Sequence, residues 1–183
     1  QHASNLGAVL AQEIAKRISN CKAYIADPVV VDELQDVARV SGLPQFPRRS
    51  VFHALNHKAI ARKYALAIGK TYEQLNLIIV HLGGGISVAA HQHGRVIDTN
   101  QALDGYGAFS PERAGTVDAG LLVKLCFSKE WSEEEILKML AGKGGMVAHL
   151  GTNDMQEIYE NVQQGDEHAK LIFEAMAYQV GKE

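Results

Sequence analysis

The stretch Leu75–Asn100, LNLIIVHLGGGISVAAHQHGRVIDTN, decides how the chain is read. Asn76 to Leu82 is apolar and β-branched over the length of one strand, the pattern of a buried strand. Ile86 to His93 alternates larger residues with smaller or polar ones, and Arg95 to Asn100 carries Val96 and Ile97. The pattern predicts strand, glycine turn, strand, turn, strand, with Gly94 placed to make the second turn. The first turn is unusual, because Gly83, Gly84 and Gly85 stand in a row where a tight hairpin needs only one or two residues at positive φ. Three glycines cost about 1.5 to 3 kcal/mol of chain entropy relative to alanine, so something should offset them. They could let a ligand such as phosphate reach the backbone N–H groups, admit another chain segment at close range, or form a mobile tip.

On the N-terminal side, Ala3 to Ser19 places Leu6, Val9, Leu10, Ile14 and Ile18 near one helical face, with Ser4 as the cap. Ala23 to Ala26 reads as a short strand ended by Asp27-Pro28, which leaves the Asp27 carboxylate at a strand end. Asp32 to Val40 reads as a short helix capped by Asp32, and Ser41 to Arg49 as turns. His53 to Ile68 is a longer helix closed by Gly69, with an apolar stripe at Ala54, Ile60, Ala61, Tyr64, Ala65 and Ile68. On the C-terminal side, Gln101 to Thr116 is a loop longer than most connections. Val117 to Phe127 reads as a buried helix, and Ser132 with Glu135 as a capping box for a helix to Ala141. Asn153 with Gln156 can start a helix ending near Gly165, and Asp166 can cap the last one through Val180. A strand-helix preamble, three strands and then helices give an α/β class.

At 183 residues and 46% apolar content the chain can bury one core or one and a half. A formal net charge of −3 argues against a general nucleic-acid or membrane-surface binder, while leaving room for a small basic pocket. Cys21 and Cys126 lie outside any CxxC spacing and are expected to be buried, reduced thiols of a cytoplasmic protein. No apolar run reaches the length of a membrane span and no signal-like N-terminus is present. The chain starts at Gln1 and stops within a helical pattern, so an excerpt of a longer protein is expected.

Several residues could carry chemistry, each with a plainer reading beside it. His53 and His57 are one helical turn apart, as metal ligands often are, but no third ligand at a suitable spacing is evident. His53 stands at a helix start, where an imidazole stays neutral and can still donate a hydrogen bond to an anion. His81 precedes the glycines and is either a core histidine or a donor aimed at the same ligand. His91 and His93 read as solvated. Arg113, between Pro111 and Gly115, is a surface charge or an anion ligand; Asp118 is a first-turn residue that suits the helix dipole. Asp27 is a turn former or a catalytic carboxylate.

The order of these features narrows the choice. Asp27 after a strand, FHALNH at Phe52 to His57, HLGGGISV at His81 to Val88 and ERAGTVDAG at Glu112 to Gly120 together resemble the acetate kinase family. The resemblance runs from HASNLGAVLA at His2 to Ala11 through the last helix. Acetate kinases usually carry FHGTSH and TRSGDID, and the departures here favour the butyrate or branched-chain branch. The resemblance implies one ribonuclease-H-like half of a duplicated actin-like ATPase fold with a helical C-terminal part. Residues 1–27 would end the N-terminal half and 28–183 would form most of the C-terminal half.

By the same resemblance, Gly83, Gly84 and Gly85 form a phosphate-binding loop, joined by His81 where the wider superfamily more often has an acidic residue. Arg113 matches the arginine that stabilises the phosphoryl in flight, His53 the histidine that contacts it, and Asp27 the aspartate near magnesium. The implied reaction is reversible transfer from ATP to a short-chain carboxylate, giving ADP and an acyl phosphate, with Mg²⁺. The carboxylate is already ionised at pH 7, so the chemistry needs charge neutralisation and alignment more than a base. A homo-oligomer is the expected assembly. The rival readings are a nucleotide-binding module without acyl kinase activity and a non-enzymatic helical interaction domain. The first would keep the glycines without a rate role for Arg113 or His53; the second predicts no nucleotide affinity.

Overall fold

The computed structural model describes residues 6–183, and the Ser4 cap and the first part of HASNLGAVLA lie outside the described residues. The elements are α1 (Leu6–Ala15), α2 (Asp36–Arg39), α3 (Ala54–Ala67), β1 (Asn76–Leu82), β2 (Ile86–Gln92) and β3 (Arg95–Thr99). They continue with α4 (Ala119–Phe127), α5 (Glu133–Leu140), α6 (Met146–Leu150), α7 (Met155–Gln163) and α8 (Glu167–Lys182). The three strands form an antiparallel sheet in the order β1-β2-β3. Leu82 pairs with Ile86 across the glycine turn, and a register shift falls between Ala90 and His91. His93 and Gly94 both have positive φ, which suits the right-handed twist of the flanking strands.

The alternation of β2 divides its side chains between two layers. Ile86 and Val88 pack with Phe109, Met146, Ile158, Ile172 and Met176, joining the sheet to α6, α7 and α8. Ala89 packs with Phe52, Ala54 and Val96 on the side of α3. Ala61, Ala65, Tyr72 and Leu75 continue that second layer toward Leu77 and Ile79 of β1. Beyond the sheet, the backbone at Val51 runs beside Gln101, Ala102 N–H donates to Val51 C=O at 2.9 Å, and Phe52 N–H donates to Val29 C=O at 3.2 Å. These bonds hold three irregular segments side by side at the start of α3.

Helix ends follow local chemistry. Asp118, Ser132, Asp154 and Asp166 each accept a backbone N–H of the first turn they cap, and Ser132 with Glu135 closes a reciprocal capping box. The cap of α7 is thus Asp154, not Asn153. Several expectations are corrected. Ala23 to Ala26 forms no strand and is exposed. Asp32 caps no helix; it accepts Leu34 N–H at 3.3 Å and pairs with Arg39, and α2 begins only at Asp36. The helix from Ala119 is not buried at any residue, and β1 turns its second face outward, with Ile78 76% and Leu82 66% exposed. Cys21 and Cys126 are both exposed. In α3 the buried stripe is Ala54, His57, Lys58, Ala61 and Ala65, while Ile60, Tyr64 and Ile68 are exposed. Periodicity locates such faces, but the partner that covers them is a property of the tertiary structure.

Candidate functional site

Phe52 is 2% exposed and edge-on to the His57 ring, so the segment entering α3 is fixed and His53 sits at its N-cap. On β2, Ser87 and His91 lie on the same face as Ala89, which turns them toward α3. A continuous run of contacts results. His53 Nδ1 lies 2.8 Å from Ser87 Oγ, Ser87 Oγ lies 2.8 Å from His57 Nε2, and His57 Nδ1 lies 3.3 Å from His91 Nε2. Tyr72 Oη, 2.6 Å from His91 Nδ1, ends the run. Burial pushes the His57 pKa down from 6.5 to about 3, with His91, His53 and His81 adding to the shift. Burial also pushes His91 down to about 4, reinforced by Lys58 and opposed by Glu33, and raises Tyr72 to about 12. Both buried histidines are therefore neutral at ordinary pH.

The solvated reading of His91 is corrected, since the residue is 2% exposed. His57 has both ring nitrogens within hydrogen-bonding distance of side chains, so it is not presented as a metal ligand beside His53. His93 is exposed, as expected.

The His81 ring stacks on His53 with centroids 3.7 Å apart and planes 8° from parallel. Asn56 Nδ2 lies 2.8 Å from His81 Nδ1 and is the natural donor, which places the ring hydrogen on Nε2. Partial burial lowers the His81 pKa, and a neutral ring relieves repulsion between stacked imidazoles. A Cβ on Gly83 would come within 3.0 Å of His81 Nε2.

The glycine triplet is crowded, and none of its three residues has a φ in the left-handed region. A Cβ on Gly84 would lie 3.3 Å from a Glu112 carboxylate oxygen, and one on Gly85 would lie 2.8 Å from Arg113 Nη1 and 3.1 Å from Ala102 O. Ser110 Oγ donates to Gly84 C=O at 2.6 Å and Glu112 N–H donates to the same oxygen at 3.3 Å. Close approach of another segment, one of the readings open for GGG, is present here: the turn admits the Glu112–Arg113 segment and the His81 ring. Arg113 Nη1 donates to Ala102 C=O, and burial lowers the guanidinium pKa against the pull of Glu112 and Asp104.

His53 and Arg113, 60 residues apart in sequence, both line a cavity of about 260 Å³. Its other walls are Val29, Val51, Phe52, Ala102 and Leu103. Two hydrogen-bonding groups and five largely apolar residues can hold a small anion with a hydrocarbon tail. Asp27 stands two residues before Val29, at φ 41°, and pairs with Arg62 of α3 at 3.1 Å. Its side chain is 18% exposed. Magnesium is commonly held by one or two carboxylates, water and substrate phosphates; Arg62 engages Oδ2 of Asp27, so Oδ1 of this partly exposed carboxylate is the oxygen that fits that ion. No group of three or more His, Cys, Asp or Glu among the described residues could form an all-protein metal site.

The structure thus brings His53, His81, Arg113 and the glycine turn together, and leaves Asp27 to one side on Arg62. Sequence reasoning missed Ser87, His91, Tyr72 and Asn56. The alternation S-x-A-x-H in β2 carries Ser87 and His91 on one face, but which helix that face meets is not encoded locally.

Comparison with known proteins identifies the family and the fold. The acetokinase family model matches residues 45–183. Butyrate kinase 1 of Clostridium acetobutylicum is 56% identical over 183 residues, which cover all of this chain and 51% of that protein. Among solved structures, an acetate kinase of Porphyromonas gingivalis superposes with a TM-score of 0.80 at 24% identity, over 97% of this chain and 46% of that one. A propionate kinase of Francisella tularensis superposes at 0.71 and 27% identity, over 81% and 40%. The chain spans about half the length of the curated relatives it matches. The shared fold is that of the acetate and propionate kinases, an actin-like ATPase half with an antiparallel sheet and helices. No helix among the described residues is long and apolar enough to cross a membrane.

Proposed function

The chain belongs to the acetokinase family, and from that premise we propose that its parent protein transfers the γ-phosphoryl of ATP reversibly to butyrate or a branched short-chain acid. The observation that carries this reading is the cavity in which His53 and Arg113 meet over apolar walls. A carboxylate is matched by the guanidinium and an imidazole N–H, and a short alkyl chain by Val29, Val51, Phe52 and Leu103. Two anions must approach one another in this reaction, so the barrier is largely electrostatic. Arg113, held in place through Ala102 and Gly85, would neutralise the equatorial phosphoryl oxygens. His53 and His81 would add neutral donors without a second full charge. Backbone N–H groups of Gly83 to Gly85 would cradle a nucleotide phosphate. Asp27 would hold Mg²⁺ directly or through water, and the ion would supply charge neutralisation at the phosphates.

The domain division into 1–27 and 28–183 and a homo-oligomeric assembly belong to the same proposal. The test is acid hydroxamate formation by the full-length protein from ATP, hydroxylamine and a series of acids from acetate to isovalerate. Turnover peaking at four- or five-carbon acids is expected. A protein that binds ATP and phosphorylates none of them would be a nucleotide-binding module instead.

A further inference from the structure

The buried run from Tyr72 to His53 has a direction. A hydroxyl has one hydrogen to donate, and a neutral imidazole has one N–H and one bare nitrogen, so fixing one end fixes every hydrogen along the run. Among the described residues the Tyr72 oxygen has the His91 ring as its hydrogen-bond partner, and the residue is 4% exposed. Its hydrogen therefore goes to His91 Nδ1, because the reverse order leaves a buried hydroxyl hydrogen without an acceptor. His91 then carries its hydrogen on Nε2, facing His57 Nδ1, and His57 carries its own on Nε2, facing Ser87 Oγ. The Ser87 hydroxyl donates to His53 Nδ1. Its oxygen accepts from His57 and, at 3.4 Å, from the His53 backbone N–H, which uses the full capacity of a hydroxyl.

We propose that Tyr72, His91, His57 and Ser87 are positioning residues, a one-way hydrogen-bond relay that holds the His53 ring in orientation and as its Nε2–H tautomer. The low pKa values of His57 and His91 support this, since each ring then carries one hydrogen over the working pH range. Of the charged groups beside the relay, which also include Glu73 near Tyr72, Lys58 and Glu33 are paired with each other at 2.6 Å and Arg62 with Asp27 at 3.1 Å. The other polarity would turn a bare nitrogen, in place of an N–H, away from Ser87 at the far edge of His53. A lone pair repels an anion that an N–H would hold. The tautomer itself is independent of the reaction, but its value for catalysis rests on the proposed phosphoryl transfer.

Ring ¹⁵N shifts in the full-length protein near neutral pH read the tautomers directly, with His53 assigned by its loss in His53→Gln. The expected result is Nε2–H for His53, His57 and His91, and a mixed His53 tautomer in Ser87→Ala. The kcat of Ser87→Ala should fall about 10- to 100-fold, as when the outer partner of a ligand-binding histidine is removed, with KM for ATP little changed. Tyr72→Phe should mix the His53 tautomers in the same direction without touching a substrate. A wild-type His53 protonated on Nδ1 would overturn the relay, and so would a single Nε2–H form persisting in Ser87→Ala. Should Ser87→Ala fail to fold, the wild-type spectrum still decides. The predicted spectrum in a protein without acyl kinase turnover would sink the proposed function and leave the relay standing.

Discussion

A guanidinium bonded to a backbone carbonyl and wedged against a glycine is at once a charge and a strut, and Arg113 holds both positions. Arg113→Ala in the full-length protein should lower kcat by roughly 10³ to 10⁵, or about 4 to 7 kcal/mol of transition-state stabilisation. Arg113→Lys should recover only part, because an ammonium keeps the charge and loses the planar fork. The bond to Ala102 adds a stability cost of about 1.5 to 3 kcal/mol, so the melting temperature should drop as well. Steady-state kinetics beside a thermal melt separate the two effects, and a kcat within about threefold of wild type, well under 1 kcal/mol, would remove Arg113 from the chemistry. The buried histidines set a second prediction. His57 and His91 stay neutral when folded, with pKa values of about 3 and 4, whereas the unfolded chain takes up protons near 6.5. Their contribution to stability is thus fully present above about pH 6.5 and is lost as pH falls toward 4 and then 3. Between pH 6 and 4 the unfolding free energy should fall by up to about 1.4 kcal/mol per pH unit for each ring. Urea unfolding across that range measures the slope, and His91→Gln, if folded, should show roughly half of it; an unchanged slope would mean that carboxylates alone set the acid sensitivity.

At the scale of elements, the β1–β2 turn distinguishes its glycines. A Cβ on Gly84 meets the end of a flexible Glu112 side chain, which can move aside, whereas one on Gly85 meets Arg113 and the Ala102 carbonyl, which are bonded together. Gly85→Ala should therefore cost about 1 to 3 kcal/mol as local overpacking and depress kcat by displacing Arg113, while Gly84→Ala should leave the melting temperature near wild type and act on ATP binding instead. Equal effects of the two substitutions on kcat and melting temperature would show that backbone approach to phosphate, rather than the crossing segment, requires the triplet. The same element shows what could be read from sequence. Strand lengths, the Gly94 turn and the caps at Ser132 and Asp166 were legible because each depends on residues within one turn or one pleat. His53, His81 and Arg113 were legible as candidates because their motifs resemble those of a known family. The burial of His91 and the exposure of α4 were not. His91 sits on a polar-looking strand end and is buried because Tyr72 and His57 close over it; α4 is apolar on paper yet none of its residues is buried. Asp27 was placed by its strand-end position, but no strand forms there, and the ion pair with Arg62 that holds it spans 35 residues.

For the molecule as a whole, the uncovered apolar surface is concentrated in places that a folded protein ordinarily buries. Ile78, Val80 and Leu82 project from one face of β1, Leu121, Val123 and Phe127 from α4, and Leu6, Val9 and Leu10 from α1. At about 25 cal/mol for each Å² left in water, such side chains forfeit roughly 1.5 to 3 kcal/mol apiece relative to burial. Contiguous apolar surface on this scale marks an interface or an aggregation liability. The relatives are about twice as long as this chain, and a full-length protein of their size would have the material to cover these faces, within one polypeptide or between two copies. Expressed alone, the 183 residues should bind a hydrophobic dye strongly, self-associate in sedimentation, and produce no measurable hydroxamate from butyrate and ATP. The full-length protein should bind little dye, and light scattering should return one defined mass. If the isolated chain proved monomeric, dye-silent and catalytically active, the exposed faces would be native surface and the cavity between His53 and Arg113 a complete site in its own right.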